Sequence, residues 1–280
     1  MGNSILREFI LRSLAEDLGD GDHSSLACIP EETTGKAKLL IKEKGVLAGI
    51  RVAKELFATI DKDLKFEVIL EDGTIMFPGD IAFYISGRKQ SILKSERLVL
   101  NIMQRMSGIA TSTHDYITLL NGLKTKILDT RKTTPGFRFL EKEAVRIGGG
   151  MNHRMGLFDM IMLKDNHIDY AGGIENAINK TREYLKKNNM NLKVEIEARN
   201  LEDVKKILSV GGVDRIMLDN FSIQDTLSAV IIISGKYEIE SSGGITPATI
   251  RSYAECGVDF ISVGALTHHI KSLDMSLKAI

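Results

Sequence analysis

Cations collect in a few short stretches of this sequence. Arg131 and Lys132 stand in DTRKTTPG, His153 and Arg154 follow a triple glycine in GGGMNHR, and Lys164 ends the apolar run MIML. A lysine at such a place is costly to bury unless it is paired or holds an anion. Glu195 and Glu197 alternate with Val194 and Ile196, so both carboxylates share one face of a strand, where Lys164 could compensate them. Asp219 ends another apolar run and could join them, as an acceptor for ribose hydroxyls or through a hydrated Mg²⁺. Ser242-Gly243-Gly244 and Gly264-Ala265 close two further strands. Glycine turns ahead of helices expose backbone N–H groups to a phosphate. Read together, these groups form a site for a highly anionic ligand.

Each group also has a plainer reading. Arg131-Lys132 could be a solvated turn, Lys164 could bridge to a strand-end acid, and the glycine pairs could be simple tight turns. Gly148-Gly149-Gly150 is either a flexible loop or a place where backbone approaches a ligand closely. Asp165 and His167 give a weak metal signal and equally fit a hydrogen-bonded loop that orients Lys164. His153 differs from His23, His114, His268 and His269 in its setting, and its imidazole could bond a carboxylate and orient its neighbours. There is no HExxH, Cys-rich metal pattern, GxGxxG opening a βαβ unit, P-loop, or Ser-His-Asp arrangement.

The elements that must position these residues fall into two regions. Up to about residue 110 the pattern is mixed α+β. It has a helix over 4–18, strands at 36–41 and 65–70, a strand after the Pro-Gly turn at 78–79, and a long helix from about Ser91 to Leu120. Gly108 and the Thr/Ser run at 111–113 predict a kink or break in that helix. Beyond residue 120, short apolar strands at 126–128, 160–163, 194–196, 216–218, 237–239 and 260–263 alternate with helical patterns. One of these, LEDVKKILSVGG, ends on a Gly-Gly stop, and Thr246-Pro247 predicts another helix start. Strand-then-helix units imply a parallel sheet. Nearly every strand end carries chemistry, which favours a barrel of six strands with incomplete closure over a doubly wound sheet.

Composition excludes several classes. Lys plus Arg number 37 and Asp plus Glu number 37, so nothing pulls the whole chain towards nucleic acid or an anionic membrane. Cation clusters are therefore local devices. The two cysteines, Cys28 and Cys256, are too few for a disulfide framework and point to the cytoplasm. The opening stretch is interrupted by charges every few residues, unlike a signal peptide or a spanning helix, and Leu6 stands where a myristoylation pattern needs Ser or Thr.

The same residues carry a resemblance to the quinolinate phosphoribosyltransferases, also called nicotinate-nucleotide pyrophosphorylases (carboxylating). The matching stretches are LNIMQRMSGIAT at 100–111, DTRKTTPGFR at 129–138, EKEAVRIGGGMNHRMGLFDMIMLKDNH at 141–167, VEIEA at 194–198, IMLDN at 216–220, SSGGI at 241–245 and DFISVGALTHH at 259–269. The resemblance implies an N-terminal α/β sandwich over 1–110, completed by 270–280, and an irregular or open α/β barrel over 111–269. It implies attack of quinolinate on 5-phosphoribosyl-1-pyrophosphate with Mg²⁺ required, giving nicotinate mononucleotide, pyrophosphate and CO₂ in NAD biosynthesis. It further implies at least a homodimer, with Arg105 donated across the interface. Arg105, Arg131, Lys132, Arg154 and Lys164 would offset the substrates' charge, helped by His153 and Arg138. Glu197 and Asp219 would stabilise the oxocarbenium-like ribose, hold its hydroxyls or bind hydrated Mg²⁺. Glu195 would join Glu197 from the same face of the strand. Two alternatives stay open: a related enzyme for another acidic heteroaromatic substrate or one tied to metal transport, and a non-catalytic phosphate-binding barrel.

Overall fold

A computed structural model describes residues 3–280. Met1 and Gly2, where a myristoyl group would attach, lie outside the described residues. The chain begins with α1 (Asn3–Leu18), α2 (His23–Cys28), β1 (Thr34–Ile41), β2 (Gly45–Val46), α3 (Ile50–Ile60), β3 (Lys65–Val68), β4 (Ile75–Met76), β5 (Ile81–Arg88) and α4 (Lys89–Thr118). There follow β6 (Lys126–Leu128), α5 (Arg138–Ile147), β7 (Ile161–Leu163), α6 (Asp165–Ala171), α7 (Ile174–Lys187), β8 (Val194–Ala198) and α8 (Leu201–Val210). The last elements are β9 (Arg215–Asp219), α9 (Ile223–Ile233), β10 (Glu238–Ser242), α10 (Ile250–Glu255), β11 (Phe260–Ser262), α11 (Ala265–His268) and β12 (Met275–Ala279). No described helix is long and apolar enough to cross a membrane.

These elements form two compact units. One comprises the residues up to His114, Thr134–Gly149 and His269–Ile280; the other comprises Asp115–Thr133 and Gly150–His268. The first is built on an antiparallel sheet of order β12-β1-β5-β3, with β12 at one edge against β1. α3 buries Ile50, Val52, Ala53, Leu56 and Phe57 on one face, and Phe57, Phe66 and Phe83 stack in the core. The helix expected to break near Gly108 runs unbroken as α4. A Cβ at residue 108 would collide with the Lys271 carbonyl, so the glycine serves a close approach rather than a kink. The Thr111 and Thr113 hydroxyls bond the Ser107 and Ile109 carbonyls one turn back, which keeps them within the helix. The division expected near residue 110 cuts across α4, and residues 134–149 group with this first unit. The reason is α5, which buries Leu140, Ala144 and Val145 and presents Glu141 to Arg105 of α4.

The second unit is a parallel sheet of order β6-β11-β10-β9-β8-β7 flanked by helices. Its first strand, β6, pairs with its last, β11, so the strands curl most of the way round. β6 and β7 do not pair, and among the described residues a single bridge, Leu128 to Met151, reaches across from β6. The fold is an open α/β barrel of six strands. β8 is buried at every residue, as a strand with one face on the barrel interior and the other under helices must be. α8 starts on Asn200, whose side chain accepts the Asp203 N–H, and stops at Gly211 with φ 65°. The start expected at Thr246-Pro247 is instead a turn, and α10 begins at Ile250. The Thr246 carbonyl accepts the N–H groups of both Thr249 and Ile250 there.

Candidate active site

The C-terminal strand ends of the second unit bring most of the chemically equipped residues to one face of the barrel. Arg131 and Lys132 follow β6, His153 and Arg154 lie on the segment before β7, and Lys164 follows β7 directly. Among the described residues, no carboxylate lies within ion-pair distance of Arg131, Lys132 or Arg154. Arg131 Nε is buried without a hydrogen-bond acceptor. Burial and the nearby charge of Arg131 both push the Arg154 pKa below the usual guanidinium value. Two half-buried guanidinium groups that repel one another, neither with a carboxylate within ion-pair distance, offer positive charge suited to an anion.

Lys164 has a partner. Its Nζ donates to Glu197 Oε1 at 2.8 Å, and the Asp165 N–H donates to Glu197 Oε2 at 3.1 Å. Glu197 is thereby held at the barrel mouth with a cation beside it. The His167 Nδ1 accepts the Lys164 backbone N–H at 3.0 Å, which fixes the chain where α6 starts. Asp219, half-buried at the end of β9, accepts from the Asn220 side chain at 2.9 Å.

Glu195 does not join Glu197 at the mouth. Two residues back along a strand is about 6–7 Å deeper, and Glu195 is fully buried in the barrel interior. His153 Nε2 lies 3.1 Å from Glu195 Oε2 and 3.4 Å from Glu240 Oε2. Arg215 Nη1 lies 3.0 Å from Glu240 and 3.8 Å from Glu195. Burial, then the neighbouring Glu240 charge, raises Glu195 to about 7. Burial alone would raise Glu240 too, but His153, Ser262 and Arg215 bring it below the usual carboxylate value. Desolvation opposes charge on His153, yet the two carboxylates outweigh it and lift the imidazole to about 9. The imidazole and two carboxylates have their ligand atoms within 4.8 Å of one another, a spacing that could hold a metal ion. Arg215 already supplies counter-charge at that point.

Glu240, Arg215 and Asp129 escaped the sequence reading. A signal was present for Glu240, since EIE at 238–240 repeats EIE at 195–197. Asp129 is fully buried and accepts the His153 N–H at 2.8 Å, fixing the backbone on which the imidazole sits.

The glycine ends behave differently from the triple glycine. Gly243 has φ 93°, and an added Cβ would strike the Asn220 side chain and come within 2.9 Å of the Asn220 nitrogen. Ser242, Gly243 and Gly244 thus form a tight turn beside Asn220 at the end of β10. At Gly264 an added Cβ would stand 3.0 Å from Lys132 Cδ, so the β11 end at Gly264-Ala265 runs close beside Lys132. The Thr267 hydroxyl of α11 also donates to the Lys132 carbonyl at 2.7 Å. Gly148, by contrast, abuts the Ala110 carbonyl of α4 and serves packing within the first unit. Arg105 and Arg138 lie in the first unit as well. Arg105 Nε donates to Glu141 Oε1 at 2.9 Å, and its Nη2 donates to Thr134 Oγ1 at 3.0 Å. Arg138 opens α5, half-buried.

Comparison with known proteins gives this geometry a context. The profile "Quinolinate phosphoribosyl transferase, C-terminal domain" matches residues 109–278, and the corresponding "N-terminal domain" profile matches residues 22–107. The chain is 45% identical over 288 residues to a chloroplastic nicotinate-nucleotide pyrophosphorylase [carboxylating] of Arabidopsis thaliana, covering 98% of this chain and 82% of that one. It is 38% identical to a probable nicotinate-nucleotide pyrophosphorylase [carboxylating] of Bacillus subtilis, over 99% of this chain and 94% of that one. Among solved structures, NadC from Streptococcus pyogenes superposes with a TM-score of 0.94 at 38% identity, covering 100% of this chain and 99% of that one. Two profiles in tandem, relatives matched nearly end to end and the shared architecture agree: this chain belongs to the quinolinate phosphoribosyltransferase family.

Proposed function

We propose that this chain transfers the phosphoribosyl group of 5-phosphoribosyl-1-pyrophosphate to quinolinate and releases CO₂, giving nicotinate mononucleotide. The observation that carries the reading is the pair Arg131 and Arg154 at one barrel mouth: among the described residues neither has a carboxylate within ion-pair distance, and Arg131 Nε is buried without an acceptor. A pyridine dicarboxylate supplies the missing negative charge, and guanidinium groups suit it because they bind carboxylates by two parallel hydrogen bonds. The related names, quinolinate phosphoribosyltransferase [decarboxylating] among them, support the same reaction.

In this reading the pyridine nitrogen attacks the anomeric carbon, the carbon–oxygen bond to pyrophosphate breaks, and its electrons leave with pyrophosphate. The ribose is oxocarbenium-like as these bonds exchange, and Glu197 and Asp219 stand where that positive charge and the ribose hydroxyls need acceptors. Lys164 adds a cation to the anionic donor and keeps Glu197 in place. Loss of CO₂ then leaves its electron pair at ring carbon 2, beside the positively charged nitrogen, and a proton from solvent completes the product. The turns at Ser242-Gly243-Gly244 and Gly264-Ala265, with Lys132 beside the latter, hold phosphate oxygens. Arg105 and Arg138 add donors for the acidic substrates, and His153, whose ring nitrogens face Glu195, Glu240 and the Arg154 N–H, orients its neighbours. The protein's contribution is placement and electrostatic stabilisation.

Mg²⁺ belongs to this reading as a companion of the pyrophosphate. Magnesium keeps several waters and takes one or two carboxylates besides phosphate oxygens. Asp219, half-buried at a strand end, fits such a water-mediated role, and the ion would neutralise charge on the leaving pyrophosphate. The reading also includes a homo-oligomer, at least a dimer, with Arg105 given to a neighbouring site, and a cytoplasmic location. The exposed Leu157, Phe158 and Tyr170 support burial against another surface, and the two free cysteines support a reducing compartment.

The deciding experiment mixes the protein with quinolinate, phosphoribosyl pyrophosphate and Mg²⁺ and measures nicotinate mononucleotide and CO₂. Absence of both from folded, oligomeric protein refutes the assignment.

A further inference from the structure

The barrel interior holds more charge than packing needs. Four adjacent strands contribute one group each: Glu195 from β8, Arg215 from β9, Glu240 from β10 and Phe260 from β11. The Arg215 guanidinium lies over the Phe260 ring, 4.0 Å from its centroid. Its Nε and Nη2 donate to Glu238 Oε2 at 3.2 and 3.0 Å, and its Nη1 donates to Glu240 Oε2 at 3.0 Å. Glu195 and Glu240 are both completely buried, and both Glu195 oxygens and Glu240 Oε1 have no hydrogen-bond partner, whereas Glu240 Oε2 is held by Arg215. Apolar residues of similar volume commonly stabilise a core as well as or better than such a cluster. The cluster therefore has a use other than stability, and His153 marks where that use lies.

His153 is held on every side. Its backbone N–H is fixed by Asp129, and its Nε2 faces the Glu195 and Glu240 carboxylates. Its other ring nitrogen, Nδ1, accepts the backbone N–H of Arg154 at 2.7 Å. The Arg154 side chain also has its Nη1 on the Met160 carbonyl at 3.3 Å. The ring is thus a strut between the buried acids and the chain at Arg154. In the neutral ring only the Nε2–H tautomer serves both ends, because Nδ1 must keep its lone pair for the Arg154 N–H.

We propose that Glu240, clamped by Arg215, is a positioning residue that fixes the orientation and tautomer of His153 and thereby sets the Arg154 guanidinium at the barrel mouth. Arg215 holds the Glu240 carboxylate from the far side, so its Oε2 can point at Nε2 without swinging away. Glu240 lies two residues before the strand-end Ser242, one layer below the mouth, and acts through the imidazole. That Arg154 binds a carboxylate of quinolinate rests on the function proposed above.

The primary test is a double-mutant cycle with Glu240→Gln, which preserves shape and removes the charge. In the His153 background this change raises the KM for quinolinate about tenfold, the effect of losing one charge-assisted hydrogen bond. kcat and the KM for phosphoribosyl pyrophosphate stay within about twofold. In the His153→Ala background the same change moves the quinolinate KM by less than about twofold, because the strut is already gone. Equal effects in both backgrounds, or none in either, overturn the proposal. Nitrogen-15 spectra of the imidazole provide a readout that needs no turnover. Recorded at about pH 10, above the imidazole's pKa of about 9, they show Nε2 protonated and Nδ1 unprotonated in the unsubstituted protein, and a mixture of tautomers in Glu240→Gln or, if that variant does not fold, in Arg215→Lys. At that pH a ring protonated on Nδ1, or an unchanged ring in the variant, overturns the positioning role whether or not the enzyme makes nicotinate mononucleotide.

Discussion

Replacing Lys164 by methionine separates its role in turnover from its role in folding. Methionine keeps an apolar stem and removes the ammonium group. In the native chain that group lies 2.8 Å from Glu197 Oε1, with Lys164 46% and Glu197 8% exposed at the side chain. A charge-assisted hydrogen bond is worth about 1.5–3 kcal/mol when desolvated, but water screens a half-exposed lysine, and pairs of this kind contribute about 0–1 kcal/mol to folding. Glu197 also keeps the Asp165 N–H at 3.1 Å, so the carboxylate is not orphaned. The unfolding free energy therefore falls by less than about 1 kcal/mol. Turnover responds differently, because bound substrates exclude the water that screens the lysine. Losing a desolvated cation then costs at least about 1.4 kcal/mol, a tenfold loss in kcat/KM. The measurement pairs steady-state formation of nicotinate mononucleotide with urea unfolding of the same preparation. Wild-type kcat/KM in Lys164→Met refutes the role assigned to Lys164. A loss of activity matched by an equal loss of stability reduces that role to holding the fold.

Three further outcomes are expected. His153 titrates near 9 in the folded chain against an ordinary 6.5, so the folded state binds the extra proton and the stabilisation is complete below pH 6.5 and lost as pH rises through about 9. The ceiling is about 3 kcal/mol, lowered because a second ring proton displaces the Arg154 N–H from Nδ1; urea unfolding at pH 6.5 and 9.5 detects it, and no difference from a His153→Gln variant contradicts it. Gly243→Ala places a Cβ at φ 93° against Asn220, costing about 1–3 kcal/mol and raising the KM for phosphoribosyl pyrophosphate; normal values for both remove the turn from the phosphate site. Mixing Arg105→Ala with Lys164→Met subunits restores activity if Arg105 serves a neighbouring site, and no recovery despite confirmed subunit exchange contradicts that sharing.

Much of this protein was legible in its residue order. Period-two alternation in VEIEA puts Glu195 and Glu197 on one face, and the strand-then-helix rhythm after residue 120 specifies a parallel sheet, because both are local properties of the backbone. The cations at 131–132 and 164 follow strands directly wherever those strands lie in space, while His153 and Arg154 lie in the connection that leads into β7. Depth along a strand is another matter. Alternation says which face a side chain takes but not how far inside the barrel it sits, so only the folded chain separates Glu197 at the mouth from Glu195 in the interior. The neighbours of each strand are equally non-local. β6 pairs with β11, far along the chain, and Arg215 meets Glu240 and Phe260 only because β9, β10 and β11 lie side by side. Residues 134–149 join the first unit through Glu141, whose partner Arg105 lies on α4, 36 residues away. The local pattern specified strands, helices and many of the cations that follow them; tertiary packing decided which charges are buried together and which stand at the barrel mouth without a carboxylate beside them.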